Sequence, residues 1–192
     1  IIIFEKKLVH LRSIILFFCL FFMLSCENDI NDINRIYASQ SSNIEIITGV
    51  EILYSDSARL KVRITGDSLK RYQTPPELKD VFTHGVKFEF FDENGRLSST
   101  LTAKKAERNY QRQQVICTDS VTFKGAKGEE IFTNELIWDE AKELIYTDKF
   151  VRLSRPNEVV YSYGFKSDQK LEKYELTAVS GVLDGKELQK NK

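Results

Sequence analysis

Adjacent acidic residues recur in the C-terminal half of the chain: Glu129 with Glu130, Asp139 with Glu140, and Asp148. Two carboxyls held a few ångströms apart are what a glycosidase needs, one as acid and one as base or nucleophile. All of them, however, sit in stretches of turn composition, where acidic side chains are expected to accept backbone amides. Cys117 is the other nucleophile to weigh. A reactive thiol needs a neighbouring base, and the residues around it, Val115, Ile116 and Val121, suit a small buried apolar side chain instead. Two His and three Cys leave few soft donors for a transition metal, and there is no Gly-x-x-x-x-Gly-Lys-Ser/Thr loop to cradle a nucleotide. No catalytic residue, no metal and no cofactor are expected. Basic and acidic residues are balanced at 28 each, which argues against a polybasic nucleic-acid arm and against an acidic solvating tail.

One cysteine has a more definite chemistry. Lys6, Lys7 and Arg12 precede an unbroken apolar run, Ile14 to Leu24, and then Ser25 and Cys26. At about 1.5 Å per residue the run spans roughly 16 Å, half of a bilayer core of about 30 Å. That length suits the apolar region of an export signal. Met23-Leu24-Ser25-Cys26 is similar to a bacterial lipobox, in which the cysteine is lipidated and becomes the mature N-terminus. The departure is that Met23, not a leucine, stands three residues before the cysteine. The competing reading is a short anchor that is never cut. Lipidation with two or more chains would hold the protein stably, at about 0.8 kcal/mol per buried CH₂. The expected organisation is a signal over 1–25, a lipidated end and polar tether over 26–43, a β domain over 44–185 and a tail over 186–192.

The elements that must carry any site read as strands. Hydrophobic residues make up 42% of the chain, enough for a packed core. Ile46, Thr48, Val50, Ile52 and Tyr54 fall on one face of a period-two pattern; Leu60, Val62 and Ile64, then Val86, Phe88 and Phe90, then Val159, Tyr161, Tyr163 and Phe165 repeat it. Asn94-Gly95, Lys124 to Gly128, Asp139 to Lys142, Arg155-Pro156-Asn157 and Ser167 to Lys170 supply turns between the runs. Residues 68–82, with Pro75-Pro76 inside, read as an irregular crossover with room for one helical turn. The fold class is therefore all-β and antiparallel. A repeat supports it. Leu101-x-Ala103-x-x-Ala106 returns as Ile131-x-Thr133-x-x-Leu136, Ile116-Cys117-Thr118-Asp119 as Ile145-Tyr146-Thr147-Asp148, and Val121-x-Phe123 as Val151-x-Leu153. The spacing of three inside the first motif breaks the alternation, as a bulge does. Single hairpins cannot bury their apolar faces, so the units must stack into a trough or flattened roll. Its inward face is expected to hold Leu101, Ala103, Val115, Cys117, Val121, Phe123, Leu136, Trp138, Tyr146, Val151, Leu153 and Phe165, either as core or as a groove for acyl chains. Lys104, Lys105, Arg108 and Arg112 form a solvated strand face or meet lipid phosphates.

In order and spacing, several motifs together resemble the LptC family. They are the lipobox, Phe82-Thr83-His84-Gly85-Val86-x-Phe88, Phe91-Asp92-x-x-Gly95, Trp138-Asp139, and Gly164-Phe165-x-Ser167-Asp168-x-x-Leu171-x-x-Tyr174. The resemblance implies a jellyroll-like boat shared with LptA and OstA domains. It implies a non-enzymatic subunit of lipopolysaccharide export, anchored in the inner membrane and facing the periplasm. Its partners would be lipopolysaccharide, the membrane subunits of an ABC transporter at one end, and an LptA-like bridge at the other. The first strand, near Ile46–Tyr54, would meet the transporter, and the last, near Tyr174–Leu183, would extend the sheet into the next protein. Many members carry an uncleaved transmembrane helix, from which Cys26 and the short apolar run depart. An envelope lipoprotein acting as lipid carrier or as a β-scaffold for protein contacts is the alternative.

Overall fold

A computed structural model describes residues 44–76 and 78–184, all within one compact unit, Asn43–Lys192. Cys26 and the signal, tether and tail segments lie outside the described residues. Eleven antiparallel strands form one sheet: β1 Ile44–Asp56, β2 Arg59–Tyr72, β3 Lys79–Phe82, β4 Val86–Phe91, β5 Leu97–Ala103, β6 Lys105–Asn109, β7 Gln114–Gly125, β8 Glu130–Asp139, β9 Leu144–Arg155, β10 Glu158–Asp168 and β11 Tyr174–Asp184. From β7 onward each strand pairs with the next in sequence. On the other side, β4 and β3 lie end to end along β2, and β5 and β6 lie end to end along β7. Among the described residues β1 pairs only with β2, and β11 only with β10.

Most of the longer strands are interrupted half-way, and β3 to β6 are short pieces of four to seven residues. Gly49 and Gly164 take positive φ within β1 and β10, Gly85 does so between β3 and β4, and Asp119 and Ser120 do so within β7. Register slips fall at Thr118/Val121, Thr133/Ile137 and Tyr163/Phe165. An extra residue bends a strand and increases its twist. With the interruptions side by side, the sheet folds along them. The Gly85 amide bonds to Lys104 O at 2.9 Å and the Lys104 amide to Asp119 O at 3.0 Å, which ties three strands along the fold line. Inside it, Thr133 Oγ1 donates to Phe150 O at 2.9 Å and Ser162 Oγ to Gly164 O at 3.1 Å, so buried hydroxyls satisfy carbonyls that the ladder releases. Gly164 has no substitute, because its φ is +88° and a Cβ there would lie 2.8 Å from Thr177.

The fold line divides the sheet into two facing walls. One carries Phe88, Phe90, Leu101, Phe123, Ile131, Val151 and Leu153. The other carries Leu69, Phe82, Val115, Cys117, Leu136, Trp138, Ile145 and Phe165. All of them are buried in one apolar cluster. Trp138 closes the space between the walls, with its ring centroid 5.2 Å from Phe90 and 5.9 Å from Phe88 in edge-on geometry.

Four expectations are corrected. Tyr146 points outward, and Ile145 and Thr147 are the buried residues of that strand. The repeat offset from Val115 and Cys117 to this strand is thirty, one more than the motif alignment gave, and a one-residue slip moves every side chain to the other face. Ile46 is 67% exposed and Ile47 packs inward, because Gly49 reverses the alternation within β1. Tyr163 is 57% exposed for the same reason, with Gly164 between it and buried Phe165. The described residues of 68–82 hold no helical turn: β2 runs on to Tyr72, and a turn with a cis Pro75-Pro76 bond precedes β3.

Candidate lipid-binding interior

Of the residues expected on the inward face, Leu101, Ala103, Val115, Cys117, Val121, Phe123, Leu136, Trp138, Val151, Leu153 and Phe165 are all brought into the buried cluster, and Tyr146 is not. Leu101, Cys117, Phe123, Leu136, Val151 and Leu153 are fully buried. Burial pushes the Cys117 thiol far above its ordinary value, which leaves it a protonated, inert core side chain. Of the five carboxylates weighed for catalysis, Glu129 has a buried Oε2 that meets no hydrogen-bond partner among the described residues, and the other four are held by basic partners. Glu130 takes Lys124 at 2.7 Å, Asp139 takes Lys142 at 2.8 Å, Glu140 takes Arg108 at 2.7 Å and Asp148 takes Lys149 at 3.0 Å. The Lys142 side chain, aided by its backbone amide, holds the Asp139 carboxyl below the usual carboxylate range. Lys104 is exposed, and Lys105 bonds Asp119 at 2.8 Å, so this part of the basic run is a strand surface. Arg108 turns inward instead.

Towards β1 the interior ends in charge. Arg71 donates to both oxygens of buried Asp80, at 2.9 and 3.0 Å, and Tyr110 Oη donates to the same carboxylate at 2.6 Å. Arg108 makes a bidentate pair with Glu140, at 2.7 Å twice, and its guanidinium lies 4.9 Å from the Tyr54 ring and 4.7 Å from the Tyr110 ring. Tyr54 belongs to the opposite wall, so this cation bridges the walls. Burial first, and the bond to Asp80 second, raise the Tyr110 phenol above its ordinary value; burial raises Tyr54.

Across the mouth, opposite the fold line, the turn between β10 and β11 acts as a strap. The Asp168 carboxylate accepts the amides of Lys170 and Glu172 at 3.1 and 3.0 Å and so shapes the turn. Leu171, at φ +57°, drops into the core beside Gly125 of the facing wall, and Ser99 Oγ donates to Gln169 O. This gives the Ser167-Asp168-x-x-Leu171 motif its physical meaning: one residue builds the strap and one plugs it in. A cleft of about 270 Å³ remains at the mouth, between Lys61, Phe90, Phe91 and Glu93 on one side and Glu143 and the strap on the other.

Among the described residues no such closure exists towards β11. Val179 and Val182 lie opposite inward-facing Ser162 and Val160 in the ladder, yet they are 55% and 56% exposed. A model of the family described as lipopolysaccharide-assembly, LptC-related, matches residues 13–184. The chain belongs to the LptC family. Membership places it in lipopolysaccharide transport at the cell envelope, as a transport component. No curated protein matches the chain. Among the described residues of this LptC-family chain no helix is long and apolar enough to cross a membrane.

Sequence reasoning missed several residues of the interior. Phe90, Ile131 and Ile145 are as buried as the residues named for the inward face; alternation from Phe88 points to Phe90, the repeat match to Leu101 points to Ile131, and an offset of thirty from Val115 points to Ile145. The network of Arg71, Asp80, Tyr110, Arg108 and Glu140 left no local signal, because its members come from separate strands and a turn.

Proposed function

We propose that this LptC-family domain is a conduit that receives lipopolysaccharide from an inner-membrane ABC transporter and passes it to an LptA-like bridge, with Cys26 as its lipid anchor. The acyl chains travel between the two walls and the sugars stay outside the mouth. One fourteen-carbon chain in water costs about 10 kcal/mol at about 0.8 kcal/mol per CH₂, so a multi-chain lipid needs a continuous apolar path. Transfer from bilayer to such a path is nearly neutral, so direction must come from an ATPase partner. The observation that carries this reading is the two-walled roll with an apolar interior whose β11 end leaves Val179 and Val182 uncovered. The edges of β1 and β11, unpaired among the described residues, suit sheet extension into neighbours. The tight packing of the interior favours one other reading, a β-scaffold that uses only its surface.

Both readings meet in one experiment. A Cβ on Gly125 would lie 3.3 Å from Leu171 Cβ, close to the spacing of about 3.5–4.5 Å of a disulfide. Gly125→Cys with Leu171→Cys should therefore cross-link the strap to the facing wall. The oxidised protein should retain no lipopolysaccharide through gel filtration, and reduction should restore it. Equal retention in both states would rule out entry through this mouth and favour the scaffold.

A further inference from the structure

Trp138 is the only tryptophan of the chain, it is 4% exposed, and its indole Nε1 meets no acceptor among the described residues. Buried indole N–H groups normally have a partner, because an unmet donor forfeits the hydrogen bond it had with water. The surroundings offer none. Its ladder neighbours on the same face are Val115 and Ile145, and the rings of Phe88 and Phe90 stand against it from the other wall. The two nearest carboxylates in sequence are committed elsewhere, Asp139 to Lys142 and Glu140 to Arg108.

Resting on the conduit reading, we propose that the Trp138 indole N–H is the polar recognition point of the interior, donating to the carbonyl of an ester- or amide-linked acyl chain. The position suits that atom. Trp138 is the last inward residue of β8 before the rim turn that begins at Asp139. Phe90, at 5.2 Å from Trp138, is also a lining residue of the mouth cleft, so this ring is the partition between the indole and the outside. An alkyl chain has no acceptor along its length. Its linkage carbonyl lies where the chain leaves the apolar interior for the polar head group, which is the depth of Trp138 beneath the rim. A chain held there would be positioned along its axis by one hydrogen bond while its methylenes lie against Phe88, Phe90 and Leu136.

A single tryptophan gives a single indole N–H cross-peak in a nitrogen-15 spectrum. In the full chain, adding detergent-dispersed lipopolysaccharide should move that peak downfield and slow its exchange with water. Trp138→Phe should weaken lipopolysaccharide retention about five-fold, the worth of one neutral hydrogen bond, with a melt that stays cooperative. Should that variant lose its melt, the wild-type cross-peak decides alone. Retained lipopolysaccharide with an unmoved indole peak, or a folded Trp138→Phe protein that binds as wild type does, overturns the assignment and leaves the conduit standing. Wild-type protein that retains no lipopolysaccharide overturns the conduit, and the assignment with it.

Discussion

The two ends of the roll are built on opposite principles. Towards β1 the space between the walls is filled by charges that satisfy one another: Asp80 takes Arg71 and Tyr110, and Arg108 joins Glu140 while resting on Tyr54 of the facing wall. Towards β11 the inner face stops at uncovered Val179 and Val182. A satisfied polar cluster excludes acyl chains without leaving an apolar surface to aggregate. An uncovered apolar face invites continuation by another surface. The lesson is that one fold can stop its apolar interior at one end and offer it at the other, with no change in strand pairing.

The comparison is most exposed to failure at Asp80. Asp80→Asn should cost about 3 kcal/mol in urea unfolding, because it takes charge compensation from Arg71 and an acceptor from Tyr110; the partial exposure of Arg71 keeps the loss from being larger. A loss no greater than that of a surface substitution would mean the cluster does not hold the β1 end. Next comes Tyr110→Phe, expected to cost about 1 kcal/mol at neutral pH. It should also flatten the alkaline limb. The folded phenol titrates above its ordinary 10.0, so the folded domain keeps a proton that the unfolded chain gives up. The stability this confers is complete below about pH 10 and declines as pH rises through the folded value. Wild type should therefore weaken with rising alkalinity, and the variant should do so less steeply, with the buried Cys117 thiol, Tyr54 and the paired lysines accounting for what remains. The smallest effect on stability belongs to the other end. Val179→Ser with Val182→Ser should change the melt by less than about 0.5 kcal/mol per site, as exposed positions do, yet lower capture of an LptA-like partner in a pull-down. A large destabilisation there would show that β11 is covered in the isolated protein and that the two ends are alike.

Much of this molecule can be read one strand at a time. Val62 and Ile64, Phe88 and Phe90, and Val121 and Phe123 alternate with polar neighbours, and each pair is buried. The Asp92 turn is equally local: its carboxylate takes the amides of Asn94 and Arg96 at 2.8 and 2.9 Å, and those bonds, the one from Arg96 foremost, hold it below the usual carboxylate range. Reading failed where a strand changes face. Tyr146 was placed inward by a motif match one residue out of step, and Ile46 and Tyr163 lie beyond the glycines at which alternation reverses. The interior residues Leu101, Phe123 and Leu153 were legible as inward, but that they meet Trp138's wall and close the space was not.

The amino-acid order by itself determined strands, turns, the bulge that the Ala103–Ala106 spacing marks and the repeat that stacks them, because period-two alternation and turn chemistry act between residues close along the chain. Which strand halves face each other was decided only in the folded molecule. Trp138 meets Phe90, Leu171 meets Gly125 and Arg108 meets Tyr54 across long separations in sequence. Such meetings depend on where the bulges bend the whole sheet and on shape and charge matching between its walls, and no local pattern encodes either.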